Sequence, residues 1–383
     1  MTKTLRFGCE MKFPEEVLAN IFSYLPLRDR YNSSLVCKPW AQAMNYPSVW
    51  YYTEVSRCET GAEDHGLQHF CHLLGMVKHL KIIVCQLKDV ANRDMALRVL
   101  SQATDQSNRL QKLSVSCMGE FPLFYSGEDI LHGIEAVLLN EASGLSLREV
   151  DFRDMPFTLS DQLIRNIAQR SPDLQRIYIN NQALVCNVTV NTIQQLLVSC
   201  PKVQVLGAFY ASLSEKVLSE LLLPGRAPFK LLELYCERSD KYVPAISNGF
   251  WEVLHKRHPS LSVNVILNHT LPAKKFLKIL QPSIPIRDLE LLTYTYLVNE
   301  VNFVAASYGT TLEKLVLQTT SSAELDLALV GLASSCPHLR EIHCYCVVTQ
   351  GVVQAFCTKC PHLWRYTLKT RKEPHPWTCT VIK

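Results

Sequence analysis

The chain has 383 residues, enough for two or three compact domains or for one small domain followed by an array of repeats. Its 39 basic and 35 acidic residues leave a net charge of +4. No basic run with interleaved aromatic residues is present, so the composition favours neither nucleic acid nor a membrane surface as a partner. No run approaches the length of about 18 apolar residues that a membrane-spanning helix needs.

The cysteine content indicates free thiols. There are 15 cysteines, an odd number and a density below that of a disulfide scaffold. The first sixteen residues, MTKTLRFGCEMKFPEE, have no apolar signal core. The sequence therefore predicts a reducing compartment, the cytoplasm or the nucleus.

The first predicted elements are three short helices between Phe13 and Trp50. Pro14 suits a first helical position, and the glutamates that follow it suit the positive end of a helix dipole. Pro26 ends this helix, and Pro39 begins the third. Apolar residues recur at helical spacing in the first helix: Val17, Leu18, Ile21, Phe22 and Leu25. About forty residues cannot bury this much apolar surface among themselves, so part of it is predicted to contact a partner.

This stretch resembles the F-box, the docking helices of substrate receptors in SCF-type ubiquitin ligases. The matching segments, in the order typical of the family, are Phe13-Pro14-Glu15-Glu16-Val17-Leu18, Ile21-Phe22, Leu25, Leu27-Arg28-Asp29, Leu35-Val36-Cys37-Lys38-Pro39-Trp40 and Trp50. Phe13 stands where the family more often has leucine. The alternative is an ordinary helical hairpin buried in its own domain, which does not account for so many matched positions.

The resemblance implies a binding site for a Skp-type adaptor, which links through a cullin scaffold to a RING subunit and a ubiquitin-conjugating enzyme. The residues it assigns to adaptor binding are Phe13, Pro14, Val17, Leu18, Ile21, Phe22, Leu25, Leu27, Val36, Cys37, Trp40 and Trp50. We expect the F-box to occupy residues 10–55 and a polar connector to occupy residues 56–66.

Residues 67–370 are predicted to form repeats. The repeated unit is a six-residue core with apolar residues at its first, fourth and sixth positions. Eleven cores are recognised: Leu80-Ile83-Cys85, Leu110-Leu113-Val115, Leu147-Val150-Phe152, Leu174-Ile177-Ile179, Val203-Leu206-Ala208, Leu231-Leu234-Cys236, Leu261-Asn264-Ile266, Leu289-Leu292-Tyr294, Leu312-Leu315-Leu317, Leu339-Ile342-Cys344 and Leu363-Tyr366-Leu368. Most spacings lie within or near the roughly 20–29 residues of leucine-rich repeats, and one longer spacing predicts an insertion near residues 119–127.

Helical patterns separate these cores, with Ser160 and Ser214 as predicted N-caps and a proline after several helices. Stacking such units buries a continuous core that one unit cannot make alone. The predicted fold is therefore α/β: a three-helix F-box followed by a curved leucine-rich-repeat solenoid, with parallel strands on the concave wall and helices outside. The spacing from Cys336 to Cys344 resembles the cysteine-containing subclass of these repeats. Residues 371–383 are predicted to be a cap or a flexible tail.

The strand residues that alternate with the core are predicted to face outward on the concave wall. We call them the wall residues: Glu149, Asp151, Arg153, Arg176, Tyr178, Asn180, Phe209, Glu233, Tyr235, Glu237, Glu341, His343 and Tyr345. Aromatic residues among charges on such a wall are typical of a protein-binding surface, here for a protein substrate. The alternative is that they are solvated strand residues distributed by chance.

No catalytic or metal site is predicted. Cys344, Cys346, Cys357 and Cys360 could form a zinc site, with His338, His343 and His362 as substitutes, but the repeat pattern already explains Cys344 and Cys360. No histidine and acid are placed by the sequence to activate a thiol, and no RING pattern, phosphate loop or Ser/His/Asp signature is present. We therefore expect no cofactor and no activity of the chain itself.

The two resemblances together imply a substrate receptor that presents a bound target for ubiquitination and proteasomal degradation. The alternative from a different class is a scaffold that pairs with the Skp-type adaptor without forming a working ligase.

Overall fold

The structure is a computed structural model, and it describes residues 13–56, 71–85, 90–105, 110–118, 127–140, 145–181, 183, 185–238, 240 and 243–371. The chain divides into two compact units, the first made of residues 1–157 with 165–174 and the second of residues 158–164 with 175–383. Residues 57–66, 119–126 and 372–383, where the sequence predicts most of the connector, the insertion and the cap or tail, lie outside the described residues.

The first unit begins with four short helices rather than the predicted three. Pro14 and Pro26 precede the first two helices, and prolines lie in the first turns of the other two, where a missing N–H costs no hydrogen bond. The helices are α1 (Glu15–Ser23), α2 (Leu27–Ser34), α3 (Lys38–Ala43) and α4 (Pro47–Trp50).

Strands and helices then alternate in the first unit. The elements are β1 (Tyr52–Ser56), a 3-10 helix (Cys71–Met76), β2 (His79–Cys85), α5 (Val90–Asp105), β3 (Lys112–Met118), α6 (Glu128–Leu139) and β4 (Glu149–Asp151). Strand β1 lies outside the eleven predicted cores. It pairs in parallel with β2, which pairs with β3, which in turn pairs with β4.

Eight strands, with helices between them, lie in the described residues of the second unit. Helix α7 (Asp161–Arg170) spans the boundary between the two residue sets. The strands are β5 (Arg176–Tyr178), β6 (Val205–Phe209), β7 (Leu231–Cys236), β8 (Ser262–Asn268), β9 (Ile286–Thr295), β10 (Lys314–Thr319), β11 (Glu341–Val347) and β12 (Arg365–Lys369). The α-helices are α8 (Val190–Ser199), α9 (Glu215–Ser219), α10 (Asn248–Arg257), α11 (Phe276–Ile279), α12 (Val298–Ser307), α13 (Ala323–Ser335) and α14 (Gln350–Lys359), with 3-10 turns at Tyr210–Ser212, Glu220–Leu222 and Ala273–Lys275.

Every strand of the second unit pairs in parallel with the next strand along the chain. Helices α12, α13 and α14 likewise contact one another in chain order. Burial alternates along β7 and β8, whereas every residue of β6 is buried. Helices such as α8, α10 and α13 bury one set of apolar residues, as stacked repeats require. The predicted α/β class with an F-box followed by parallel-strand repeats is confirmed.

Hydroxyl side chains begin several helices. The predicted caps are confirmed, since Ser160 Oγ accepts the Leu163 N–H at 3.1 Å and Ser214 Oγ accepts the Val217 N–H at 3.3 Å. Thr189, Ser247 and Ser322 cap three further helices in the same way. Each cap satisfies a backbone donor that the first helical turn leaves open.

The predicted core register is wrong in several strands. In β9 the buried residues are Ile286, Leu289, Leu291 and Thr293, whereas Leu292 is half-buried and Tyr294 is 65% exposed. Four further residues predicted as core are half-buried, namely Ile83 in β2, Leu231 in β7, and Asn264 and Ile266 in β8. The buried residues of these strands are Leu80, Ile82 and Val84 in β2, Leu232, Leu234 and Cys236 in β7, and Val263, Val265 and Leu267 in β8. Tyr366 of β12, also predicted as core, is 51% exposed.

Candidate functional site

An exposed apolar face lies on the N-terminal helices. Val17 and Ile21 on α1 are 42% and 47% exposed, and Phe13, four residues before Val17 and just ahead of the helix, is 48% exposed. Val36, after the end of α2, is 61% exposed, and Pro14 and Cys37 are also exposed. These six predicted adaptor-binding residues therefore present their side chains to solvent.

Other members of the predicted set support this face from beneath. Leu18, Phe22, Leu27 and Trp50 are buried, and Leu25 and Trp40 are half-buried. The ring of Phe22 packs edge-on against Trp40 with 5.2 Å between centroids, and Trp50 Nε1 donates to the Met44 carbonyl at 2.7 Å. Four of the twelve residues predicted to bind the adaptor are therefore not on the surface. They are Leu18, Phe22, Leu27 and Trp50, which belong to the core of the helices.

Two exposed apolar residues were not assigned to the face by sequence. Tyr24 is 82% exposed and Leu35 is 64% exposed. Leu35 belongs to the matched F-box segment and lies next to Val36, so its position in the sequence could have indicated that it is part of the same exposed face. Together, Phe13, Val17, Ile21, Leu35 and Val36 form what we call the docking face.

Arg30 of α2 is a structural residue that sequence reasoning missed. Its side chain is 2% exposed, and its Nε and Nη2 donate to the carbonyls of Leu25 at 2.9 Å and Ser23 at 3.2 Å. Nη2 also donates to the Tyr52 carbonyl at 3.0 Å, so one guanidinium connects the end of α1 with β1. Burial lowers the pKa of Arg30 to about 10. The cation lies 5.3 Å from the centroid of Trp50.

The wall residues of the first unit are half-buried and paired. The carboxylate of Asp151 meets the Arg153 guanidinium at 2.7 Å, and Glu149 meets Lys112 at 3.0 Å. These are surface ion pairs, which contribute little stability. They nevertheless fix the positions of the charged groups that this stretch presents.

In the second unit the wall residues differ in exposure. Arg176 and Tyr345 are exposed, and Tyr178, Glu233 and Tyr235 are half-buried. The expected exposure is wrong for Phe209, Glu237 and His343, which are at most 9% exposed.

Neighbouring strands explain this burial. Phe209 packs edge-on against Tyr235 at 5.4 Å, and His343 Nδ1 lies 2.9 Å from Thr367 Oγ1. The carboxylate of Glu237 accepts the Cys186 N–H at 3.3 Å.

Gly207 opens a gap in the wall. It pairs with Tyr178 on one side and with Glu233 on the other. Asn180, which is also buried, fills this gap, and its Nδ2 donates to Glu233 Oε2 at 3.3 Å. A Cβ at position 207 would overlap Asn180 Oδ1, so any larger residue here would displace the Asn180 side chain.

A polar cavity of about 500 Å³ lies along β9 to β12. Lys314 Nζ contacts Glu290 Oε1 at 2.6 Å, and His343 Nε2 lies 3.7 Å from Glu341 Oε2. Burial opposes the charged form of Lys314, but the hydrogen bond and charge of Glu290 outweigh it and raise the lysine pKa. Tyr345 and Arg365 also line the cavity. The wall here offers an exposed aromatic ring beside groups of both charges.

Asp240 is a buried carboxyl group beside the wall. It is 1% exposed, its Oδ2 accepts the Glu237 N–H at 2.6 Å, and its Oδ1 has no hydrogen-bond partner among the described residues. Burial raises its pKa from 3.8 to about 7, with the charge of Glu237 acting in the same direction and that of Lys275 opposing it.

This pKa predicts a pH dependence of stability. Between pH 4 and 7 the folded state binds more protons than the unfolded state, so the free energy of unfolding falls as pH rises through this window. Asp240→Asn is expected to stabilise the protein by about 2 kcal/mol at pH 8 and to have little effect at pH 4. Urea unfolding at both pH values measures this. Glu300→Gln on α12 is the control, and an equal effect of Asp240→Asn at both pH values would contradict the assignment.

The zinc hypothesis finds no support in side-chain positions. Cys344 and Cys360 are buried at their repeat positions, and Cys357 is exposed. Across the part of the chain that the structure describes, no group of three or more His, Cys, Asp or Glu side chains is arranged to hold a metal ion. Within the same ranges, no helix is long and apolar enough to cross a membrane.

Comparison with known proteins agrees with this architecture. Residues 12–53 match the family model described as F-box-like. The N-terminal helices and the parallel-strand repeats that follow them in the chain thus define the class of F-box proteins with leucine-rich repeats.

Human F-box/LRR-repeat protein 8 is 38% identical over 370 residues, which cover 96% of this chain and 98% of the relative. F-box/LRR-repeat protein 8 from Bos taurus is 39% identical over 372 residues, covering 97% and 98%. The chain belongs to the F-box/LRR-repeat family. A solved leucine-rich-repeat protein from Legionella pneumophila aligns with 80% of this chain and 90% of its own, at 13% identity and a TM-score of 0.33.

Proposed function

We propose that this chain is the substrate-recognition subunit of an SCF-type ubiquitin ligase. The F-box docks on a Skp-type adaptor, which connects it through a cullin to a RING subunit and a ubiquitin-conjugating enzyme. The repeats hold a target protein, whose lysines then receive ubiquitin and whose fate is proteasomal degradation.

The observation that carries this proposal is the docking face. Its five apolar side chains are between 42% and 64% exposed, on a segment in which Leu18, Phe22 and Trp50 are buried. Exposed apolar side chains concentrated on one short segment are typical of a protein-binding site. Because the face belongs to the segment that matches the F-box-like model, a Skp-type adaptor is the partner it fits.

The target binds the wall residues in this proposal. Exposed Arg176 and Tyr345, with half-buried Glu149, Asp151, Arg153, Tyr178, Glu233 and Tyr235, supply direct contacts. Buried Phe209, Glu237 and His343 hold their neighbours in place. Aromatic and arginine side chains are the residue types that dominate protein interfaces.

The receptor contributes proximity in this account. Holding the target and the charged conjugating enzyme in one assembly converts a bimolecular encounter into one at high effective concentration. No step requires a catalytic group from this chain.

A double variant of the docking face tests the proposal. Ile21→Glu with Val36→Glu places charges on side chains that are 47% and 61% exposed, so the fold is retained. We expect adaptor affinity to fall at least about 30-fold, since interface anchors contribute about 2 kcal/mol or more. Affinity capture should then lose adaptor and cullin while targets remain bound. By contrast, Leu18 is 4% exposed, so replacing it would test folding instead.

Leu327→Glu is the matched control, because Leu327 is 74% exposed on α13 of the second unit. It should leave adaptor and cullin recovery unchanged. Full adaptor recovery with the double variant would overturn the assignment of the docking face. Recovery of adaptor without cullin from the unmodified protein would favour a scaffold that pairs with the adaptor alone.

A further inference from the structure

Two cysteines on β11 lie in direct contact. Cys344 Sγ and Cys346 Sγ are 3.4 Å apart, and both are free thiols. Cys344 is fully buried, whereas Cys346 is 9% exposed. A disulfide needs the sulfur atoms at about 2.05 Å, so a closing movement of roughly 1.3 Å separates the two thiols from a bond.

An irregularity in the sheet accompanies this contact. Cys344 pairs with Leu368 and Val347 pairs with the next residue of β12, Lys369, so β11 advances three residues while β12 advances one. Extra residues of this kind bend a strand and redirect its side chains. Cys344 is the last paired residue before this bulge, and Cys346 lies within it.

We propose that Cys344 and Cys346 form a redox-active dithiol, which small-molecule disulfides such as glutathione disulfide oxidise to an intramolecular disulfide bond. This modification site does not depend on the proposed ligase function.

The two thiols have different parts in the reaction. The hydrogen bond from Cys344 lowers the pKa of Cys346, against the opposing effects of burial and of Asp326. The same hydrogen bond, with burial, raises the pKa of Cys344. Cys346 is also the more exposed of the two, at 9% against 0% for Cys344. Access to a small-molecule disulfide and thiolate character therefore both favour Cys346 as the attacking thiol, with Cys344 closing the bond.

The exchange proceeds in two steps that balance. The Cys346 thiolate attacks one sulfur of glutathione disulfide, whose S–S bond breaks to give a mixed disulfide and one glutathione thiolate. Cys344 then loses its proton and attacks Cys346 Sγ, and the second glutathione leaves. The protein loses two electrons and two protons, and both glutathione molecules are released as thiols.

A second pair of neighbouring cysteines in the same chain, Cys336 and Cys360, serves as a comparison for the proposed dithiol. Cys336 and Cys360 are also close and buried, but Cys360 Sγ contacts the backbone carbonyls of Ala333 and Cys336, each at 3.6 Å. Burial raises the pKa of Cys360 to about 11 and that of Cys336 to about 12. We expect these two thiols to remain reduced. Cys37, which is exposed, should form a mixed disulfide.

Peptide mapping of the full-length protein tests the proposal. The folded protein is incubated with glutathione disulfide, its remaining thiols are alkylated, and it is digested with trypsin, which cleaves after Arg340 and Lys359. Both cysteines then lie in one peptide, and a disulfide between them leaves Cys344 and Cys346 without the alkyl group that each reduced thiol would carry. We expect most of the protein to yield this unalkylated pair, and both cysteines to be alkylated when the protein is reduced before alkylation.

Two variants assign the order of attack. Cys344→Ser should leave Cys346 as a mixed disulfide with glutathione. In Cys346→Ser, Cys344 should stay reduced and buried, so that it is alkylated only after the protein is unfolded. If wild-type protein shows no link between Cys344 and Cys346 when Cys37 has reacted fully, the proposal is wrong. Mapping of the wild-type protein decides whether the disulfide forms, even if one of the variants does not fold.

Formation of this disulfide would also affect the wall residues. This consequence rests on the proposed function, in which the wall residues bind the target. Tyr345 lies between the two cysteines, is 52% exposed and stacks beside His343 at 6.5 Å. Joining the flanking residues changes how this ring is presented to a target. A failed mapping experiment would leave the docking-face proposal untouched, since mapping involves no partner protein.

Discussion

Arg30→Ala is expected to lower the free energy of unfolding of the N-terminal helices by about 3 to 5 kcal/mol. The substitution removes the donor that Arg30 supplies to the partly buried carbonyls of Ser23, Leu25 and Tyr52. It also removes the contact between the guanidinium and Trp50. Hydrogen exchange measured by mass spectrometry over residues 15–56 should show faster exchange throughout this segment.

Two further substitutions separate charge from geometry at this position. Arg28→Ala, on an exposed residue of the same helix, should change stability by less than about 0.5 kcal/mol. Arg30→Lys retains the charge but not the planar fork of donors, so it should lose a large part of the stability. Unchanged exchange in Arg30→Ala would mean that Arg30 does not connect α1 with β1.

Leu291→Asp is expected to cost at least about 4 kcal/mol, whereas Leu292→Asp should cost less than about 1 kcal/mol. Leu291 is fully buried and pairs with Leu267 and Leu317 on the adjacent strands. Leu292 is half-buried and lines the polar cavity along β9 to β12. Urea unfolding followed by circular dichroism measures both variants.

This adjacent pair tests the register of β9 directly. A slip of one residue along a strand exchanges its buried and exposed faces. If Leu292→Asp proved the more destabilising substitution, the register of β9 in the structure would be wrong and the core predicted from sequence would be right.

Strand β9 also shows why the presence of the repeats was easier to predict than which residues of each strand face the core. The cores at Leu174-Ile177-Ile179 and Leu312-Leu315-Leu317 are fully buried as predicted, because polar residues such as Arg176 and Lys314 separate the two faces. In β9, apolar Leu289, Leu291 and Leu292 occur on both faces, so a pattern with apolar first, fourth and sixth positions fits more than one alignment. Only the pairing with β8 and β10 selects between these alignments.

The N-terminal helices show a similar limit. The sequence predicts that α1 is too apolar to be solitary, but Val17, Leu18, Ile21 and Phe22 cover more than one side of the helix. Which of them are exposed depends on where α3 and α4 pack, and both contact α1. Arg30 gave no sequence signal, because a buried cation satisfied by backbone carbonyls has no partner residue type to recognise.

The order of strand pairing in the second unit has a consequence for how this protein could change length. Among the described residues of this unit, the strands from β5 to β12 pair in the order in which they occur in the chain, and no pairing skips a strand. Duplicating or deleting one whole repeat therefore requires a single new interface, and all other interfaces persist. Gene duplication within such an array can extend or shorten the surface offered to targets in steps of one repeat, without a new fold.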